Sequence, residues 1–430
     1  MRAVILAAGE GARLRPLTEN RPKHMIPIAG QPLLQHVIEA FKHNGVRKFT
    51  IVVGYLSEVI ERSLSDGRGL EVDITYVRQR KARGTANAVA QLHDQLDESR
   101  FLLCYGDIYV SQSALAEVLK AFNEKSVDAA MAVVKVKDQE HYGLVTIHEG
   151  YVKEIIEKPK RPSPAGFANA GIYIFEKSIF DGVKRTAKSP RGELELTDSI
   201  ANLIRSGIKV KPVLIDQKDW LDIGRPWDLF QANERALQAI QPTREGYVES
   251  TTILMGPITL KPGVKVLSGC RVEGPAYVGE RSVIGPNCYI RPYTSISQDV
   301  RVGNGCEIKN CIIMNRTKIP HQSYFGDSII GEECNFGAGT MTGNLRLDER
   351  TVLMRIKRKI VDSGRRKLGA IIGDAVSTGV NVNLMPGVKV GSRTAIGPGV
   401  IVYKDLPANV KVLLKQTTVK KMRKESNEKV

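Results

Sequence analysis

The hydrophobic pattern of this chain changes rhythm near residue 240. Before that point, short apolar runs of strand length recur at Ala3–Ala8, Lys48–Val53, Val72–Tyr76, Phe101–Cys104, Ala129–Val136, Ala170–Phe175 and Lys209–Ile215. Amphipathic stretches with a helical repeat lie between several of them, at Leu33–Asn44, Thr85–Leu96 and Ser113–Asn123. Apolar runs suit strands buried on both faces, and their alternation with helices predicts a layered α/β domain with a mostly parallel sheet over residues 1–240. Ligands of such sheets sit beyond the carboxyl ends of the strands. The chemistry is therefore expected in the segments that follow the apolar runs.

After Thr251 the rhythm is different. Val266, Val272, Val278, Ile284, Ile290, Ile296, Val302 and Ile308 fall at a stride of six, and a small or medium side chain precedes each by two, among them Cys270, Cys288 and Cys306. Neither a helix nor an alternating strand repeats every six residues; a hexapeptide solenoid does. The stride returns at Ile372, Leu384, Val390, Ile396 and Val402, with Thr378 as a polar interruption. The pattern resembles the left-handed parallel β-helix of hexapeptide repeats, and that fold is expected over 251–405, after a linker at 241–250 and before a basic tail at 406–430 that is expected to turn helical over Thr417–Lys424. Three hexapeptides make one coil, so the three cysteines stack at one corner and read as small buried packers. A polar, basic excursion from about Met341 to Leu368 interrupts the solenoid, and loops leaving a regular scaffold are where function concentrates.

At 430 residues the chain is long enough for two or three cores. The net charge of +17 is uneven, with 34 Lys/Arg against 30 Asp/Glu before residue 241 and 29 against 16 after it. No nucleic-acid motif accompanies the excess, so phosphate-bearing small ligands and a solvated tail account for it better than nucleic acid. No apolar stretch is long enough for a membrane span, and Met1 leads directly into a strand rather than a signal peptide. A cytoplasmic protein without nucleic-acid or membrane partners is expected. The six cysteines include no Cys-x-x-Cys pair, which argues against a zinc site.

The densest chemistry is at the start. Ala3–Ala8 breaks into a loop with Gly9 and Gly11, followed by Arg13, Arg15 and Lys23. Glycine lets backbone N–H groups approach an anion closely, and arginine adds planar donors suited to phosphate. Spacing alone fits an ordinary strand–loop–helix turn equally well, and neither the dinucleotide fingerprint nor a Walker loop is present. Asp107 follows Phe101–Gly106, and Asp222 lies in Trp220-Leu221-Asp222-Ile223-Gly224. Two carboxylates from distant strands suit Mg²⁺, which takes one or two carboxylates plus substrate phosphates; a turn-forming aspartate is the plainer reading. Gln79 and Gly84-Thr85 follow another strand, where a glutamine amide suits a pyrimidine edge and a capped helix is the alternative.

The full string Gly9-x-Gly11-x-Arg13-Leu14-x-Pro16-Leu17-Thr18, followed by Pro22-Lys23-x-Met25-x-Pro27-Ile28, resembles the signature of the sugar-1-phosphate nucleotidylyltransferases. That family joins an NTP to a sugar 1-phosphate and releases pyrophosphate. The resemblance extends over nearly all of residues 1–230 and implies a Rossmann-like α/β nucleotidyltransferase domain. It implies Arg13 and Lys23 as catalytic residues and Leu6, Ala8, Gly9, Gly11, Gln79, Gly84 and Thr85 on the nucleotide. It further implies Gly143, Glu157, Lys158 and Asn169 on the sugar phosphate, and Asp107 and Asp222 as Mg²⁺ ligands. UTP and dTTP present the same edge to a glutamine amide, so both remain open. His24 departs from the family pattern, which has Pro, Ala or Ser there.

The solenoid resembles the acetyltransferase domain of the bifunctional N-acetylglucosamine-1-phosphate uridylyltransferases. The resemblance rests on His321-Gln322-Ser323-Tyr324-Phe325-Gly326-Asp327 and on Asn335-Phe336-Gly337-Ala338-Gly339-Thr340-Met341-Thr342-Gly343-Asn344. It implies His321 as the general base, a task suited to an imidazole titrating near neutrality. Tyr324, Asn335 and Asn344 then surround the sugar, Arg291 and Lys309 form a phosphate pair, and acetyl-CoA contacts Ala338 and Lys367. The family forms trimers with sites between subunits, so a homotrimer is implied. A lone histidine is more often structural, and the basic excursion suits either the CoA phosphates or solvent. The reading is a bifunctional enzyme that acetylates glucosamine 1-phosphate, with galactosamine 1-phosphate also open, and transfers UMP or dTMP to sugar 1-phosphates. The alternative is a single nucleotidylyltransferase (thymidylyl, uridylyl or guanylyl) with a structural β-helix.

Overall fold

The computed structural model describes residues 1–124, 127–136, 142–159 and 166–421. Nine strands form the N-terminal sheet: β1 (Arg2–Ala7), β2 (Lys48–Val53), β3 (Asp73–Arg78), β4 (Arg100–Tyr105), β5 (Ala129–Val136), β6 (Gly143–His148), β7 (Tyr151–Glu157), β8 (Gly166–Glu176) and β9 (Val210–Ile215). Their order is β7-β6-β8-β4-β1-β2-β3, with β5 on β8 and β9 on β5. β4, β1, β2 and β3 run parallel, as do β5 and β9. β8 enters antiparallel to β4, β5 and β6, and β6–β7 is a hairpin. The hairpin escapes an apolar-run search because β7 buries only Val152 and Ile155, spaced by three across a bulge. Alternate residues of β1 serve two cores: Ala3, Ile5 and Ala7 face one side, Val4 and Leu6 the other.

The second half stacks short strands into three parallel sheets, visited in turn by each coil. Lys265–Val266, Val283–Ile284 and Arg301–Val302, for example, are successive rungs of one sheet. Pairing begins with a bridge from Arg244 to Leu260 and continues at Tyr247–Val248 on Lys265–Val266, inside the stretch expected as a linker, and ends at Lys411–Val412 on Ala395–Ile396, inside the expected tail. Val248 and Val412 pack on the solenoid core from these outer rungs. Thr417–Lys421 carry no helix, and Met422–Lys424 lie outside the described residues. All six cysteines are buried thiols.

The stride of six does not stop at Ile308. Inward residues continue at Ile313, Ile319, Phe325, Ile330 and Phe336, all fully buried, and at Thr342. The steps 308 to 313 and 325 to 330 are five residues, so the periodicity slips by one twice while the coil continues. Both short steps fall at the same corner, which Lys309, Asn310 and Asp327 occupy.

The basic excursion folds as a β-hairpin, Leu353–Ile356 against Lys359–Asp362. Val352, Met354 and Ile356 are buried while Leu353 and Arg355 are exposed, the alternation of a strand with one covered face. That face packs on the N-terminal domain rather than standing in solvent. Leu14, Leu17, Trp227 and Phe230 join Ile312, Ile329, Ile371 and the hairpin residues in one apolar cluster. Gly30 permits close approach there, since a Cβ on it would lie 2.1 Å from the Tyr277 ring.

A polar network borders this cluster. Arg21 donates to Asp374 at 2.9 Å and lies 3.3 Å from Glu332, Asn20 donates to Asp374 at 3.0 Å, and Ser392 N–H donates to Glu19 at 2.8 Å. Arg21 is buried. Removing one partner of a buried pair strands the other charge and costs about 3–5 kcal/mol. Arg21→Met is therefore expected to lower the midpoint of chemical denaturation markedly; an unchanged midpoint would mean that solvent reaches this network.

Candidate active sites

Every residue expected around the nucleotide, the first sugar phosphate and the metal lines a single cavity of about 510 Å³ at the carboxyl ends of β1 and β4. The glycine loop forms its floor. Gly11 has φ +70°, and a Cβ on it would lie 2.8 Å from the Lys23 side chain. Both the turn and the close passage of Lys23 thus require glycine. Lys23 forms an ion pair with Asp107, and both are largely buried. Arg15 pairs with Glu10 instead and stays half-exposed at the rim.

Asp107 and Asp222 are brought together by a two-stranded ribbon, Ile108–Val110 against Trp220–Asp222, closed by a hydrogen bond from Ile223 N–H to Asp107 O of 2.9 Å. Burial works to raise the Asp107 carboxyl, but Lys23, His24 and Arg13 outweigh it and hold the group below its usual range. Asp222 goes the other way, pushed up to about 6 by burial and then by the charge of Asp107. Two oxygen-donor side chains held close enough to repel fit a hard divalent cation that completes its shell with phosphate oxygens. Among the described residues no group of three or more metal-ligating side chains occurs. Substrate oxygens and water would therefore complete the shell. His24 is buried against this pair, its imidazole pulled down to about 3 by burial and by Lys23, so it is neutral near pH 7.

At the other end of the cavity, Glu157 accepts from Thr197 at 3.4 Å and lies 3.3 Å from both Lys158 and Arg191. Asn169 donates to the Tyr173 hydroxyl at 2.6 Å and accepts from Gly171 N–H at 3.0 Å. Gln79 donates to Gly84 O and to Asn87, both at 3.0 Å, so its amide nitrogen fastens the loop before Thr85. Thr85 in turn accepts from Leu196 N–H at 2.9 Å. Arg191, Tyr105 and Lys357 also line the cavity and were not singled out from sequence. Arg191 directly precedes Gly192, and Lys357 arrives from the other half of the chain.

The solenoid carries a second constellation at the corner with the five-residue steps. Asp327, almost fully buried, accepts from Lys309 at 2.9 Å, Asn310 at 2.8 Å and Asn344 at 2.6 Å. Asn344 also reaches the Tyr324 hydroxyl at 3.2 Å. Arg291 is held by Glu307 at 2.9 Å. Asp327 is the hub of this cluster; the five-residue step makes this coil seventeen residues long, so Gly326 stacks on Lys309 and Asp327 on Asn310. Lys367 lies beside the same corner, bridged to Leu345.

His321 is not part of that cluster within one chain. It is exposed in the turn before the rung Tyr324–Gly326, whereas Asp327 follows that rung. Ala338 lies one coil beyond His321 in the Tyr324–Met341 register, and Asn335 belongs to the sheet on the far side of this turn. The expected residues thus divide between two corners: His321 and Ala338 at one, with Asn335 on its flank, and Arg291, Lys309, Asn344 and Lys367 at the other.

Comparison with known proteins agrees with this two-part geometry. A family model described as Nucleotidyl transferase matches residues 2–239, and one described as GMPPB C-terminal domain matches 272–384. Bifunctional protein GlmU of Methanocaldococcus jannaschii is 43% identical over 410 residues, covering 95% of this chain and 96% of that protein. The bifunctional sugar-1-phosphate nucleotidylyltransferase/acetyltransferase of Sulfurisphaera tokodaii is 40% identical over 412 residues, covering 94% and 98%. A solved structure from Bacillus anthracis, assigned as a glucose-1-phosphate thymidylyltransferase, superposes with a TM-score of 0.51 at 29% identity, covering 57% of this chain and 98% of that one. No helix among the described residues is long and apolar enough to cross a membrane. With one cavity of nucleotidyl-transfer character, a β-helix with a separate polar constellation, and relatives of both halves along its whole length, the chain belongs to the family of bifunctional sugar-1-phosphate nucleotidylyltransferases/acetyltransferases.

Proposed function

We propose that the solenoid acetylates glucosamine 1-phosphate, or galactosamine 1-phosphate, and that the N-terminal domain then transfers UMP or dTMP to the product. The observation that carries the second step is the convergence of the Gly9–Gly11 loop, Arg13, Lys23, Asp107 and Asp222 with Glu157 and Asn169 in one cavity. The sugar phosphate is already ionised, so its oxygen can attack the α-phosphorus without a general base, and pyrophosphate leaves as the α–β bridging bond breaks. Such transfers depend on positioning and charge neutralisation. Arg13 and Lys23 neutralise the phosphates, and Glu157 accepts from the sugar hydroxyls. Asp107 and Asp222 would hold Mg²⁺, which when bound neutralises phosphate charge and fixes the reactants relative to each other.

In the acetyl transfer, the sugar amine attacks the thioester carbonyl, its proton passes to His321, and CoA leaves as the thiol. Arg291 and Lys309 suit the sugar phosphate, and Tyr324, Asn335 and Asn344 the sugar. Ala338 and Lys367 suit the acetyl-CoA side. The division of these residues between two corners supports a site shared by neighbouring subunits of a homotrimer.

The test is CoA thiol release from acetyl-CoA and glucosamine 1-phosphate or galactosamine 1-phosphate without nucleotide, alongside pyrophosphate release from UTP or dTTP and a sugar 1-phosphate. Chelation with EDTA is expected to abolish the second activity and spare the first, and added Mg²⁺ to restore it. Absence of thiol release with both amino sugars would reduce the solenoid to a scaffold.

A further inference from the structure

The hairpin that leaves the solenoid ends in a two-residue turn, Lys357-Arg358, between the paired residues Ile356 and Lys359. Its base is fixed by Val352, Met354 and Ile356 in the apolar cluster between the domains, and by Arg365, whose guanidinium lies 5.2 Å above the Phe230 ring. The tip is therefore held in place. Lys357 lines the same cavity as Gly9, Gly11, Arg13 and Lys23.

Two observations bear on this lysine. First, among the described residues its side chain makes no hydrogen bond or ion pair, a state it shares in this cavity with Arg13, whereas Lys23 is matched by Asp107. Second, it has φ +54°. The first position of a two-residue hairpin turn with positive φ is glycine's, since a Cβ is strained there. Lys158 of the same cavity shares this conformation, with φ +45°, so two cationic side chains at this pocket are held where the backbone favours glycine.

Resting on the nucleotidyl-transfer reading of the cavity, we infer that Lys357, carried by the acetyltransferase half, contacts the pyrophosphate portion of the nucleotide in the other half's site. The loop Gly9–Arg13 would cradle the phosphates, and Lys357 lines the cavity together with Glu10 and Ala12 of that loop. As the α–β bond breaks, charge gathers on the departing pyrophosphate, and a lysine at this rim is a fourth cationic contact beside Arg13, Lys23 and the metal. The two halves of the chain then share one catalytic pocket, besides being packed together.

The test uses the full-length protein and the variants Lys357→Ala and Lys357→Arg. Nucleotidyl transfer is measured in both directions, the reverse reaction starting from sugar nucleotide and pyrophosphate. Lys357→Ala is expected to raise KM for pyrophosphate and for the NTP by roughly tenfold, the loss of one charge-assisted hydrogen bond. KM for the sugar nucleotide should stay unchanged and Lys357→Arg should restore most of the effect. A merely structural role for the tip would not select the pyrophosphate end or be rescued by arginine. Unchanged KM values in an active parent overturn the inference and leave the nucleotidyl-transfer reading intact; an inactive parent overturns both. The far side of the tip borders an open cleft shared with Arg355 and Lys404, so a rise confined to KM for acetyl-CoA would assign Lys357 to that side and likewise overturn it.

Discussion

Asp107→Asn is expected to lower pyrophosphate release on the order of a thousandfold, matching the several kcal/mol that a bound cation supplies, while thiol release from acetyl-CoA stays at the parental rate. The asymmetry follows from what the side chain touches. Its carboxylate is the partner of Lys23 and the neighbour of Asp222 in the first cavity, and among the described residues none of its hydrogen bonds or ion pairs reaches the solenoid. The ribbon that presents it is closed through its backbone, by Ile223 N–H on Asp107 O, so asparagine keeps the architecture. The substitution takes from Lys23 its ion-pair partner, leaving only Asp222 nearby, and removes half of the carboxylate pair. A folded Asp107→Asn protein that loses both activities would show that the two sites are not separate, and retained pyrophosphate release would remove Asp107 from the metal site.

His321→Ala is expected to do the reverse, reducing acetyl transfer by about 10²–10⁴-fold, the usual contribution of a positioned general base, with nucleotidyl transfer untouched. The side chain is exposed, so its loss should cost little stability. Because Asn344 and Lys309 lie at the other corner of the same solenoid face, the variant also tests how the site is assembled. If neighbouring subunits complete it, mixing inactive His321→Ala and Asn344→Ala chains under conditions of subunit exchange should restore part of the activity, since some interfaces then receive both native residues. Mixtures that stay inactive despite proven exchange, or a monomer in sedimentation, would mean that one chain must bring both corners together.

How much of this was legible in the sequence depended on whether the signal was local. The glycine loop and Asp107 were legible because each comes just after a strand of the main sheet, and strand ends converge in a sheet of this kind; Arg13, Lys23 and Asp222, which sit in short turns and at the end of the small ribbon, were reached through the family resemblance. The six-residue stride was legible until Ile308, where a five-residue corner shifted the register and hid the inward series at Ile313, Ile319 and Phe325. The same slip obscured Asp327, whose importance appears only once Lys309, Asn310 and Asn344 are seen converging on it. The hairpin itself was not legible, because its charge masks an alternating strand and no local pattern says which surface covers the buried face. Asn20, Arg21 and Asp374 were invisible for a related reason: a buried pair between residues more than 350 positions apart leaves no trace in either neighbourhood.

The covered face of the solenoid has a practical consequence for dissecting the enzyme. Ile312, Ile329 and Ile371 point outward from successive rungs of one sheet and are fully buried only because the N-terminal domain and the hairpin lie over them. Cutting the chain near residue 240 would bare a ladder of isoleucines on stacked parallel strands, the kind of surface that recruits other copies of itself. The severed acetyltransferase half should therefore precipitate or self-associate even with every one of its own site residues intact. A poor yield from such a fragment would speak to its exposed flank and say nothing of its chemistry.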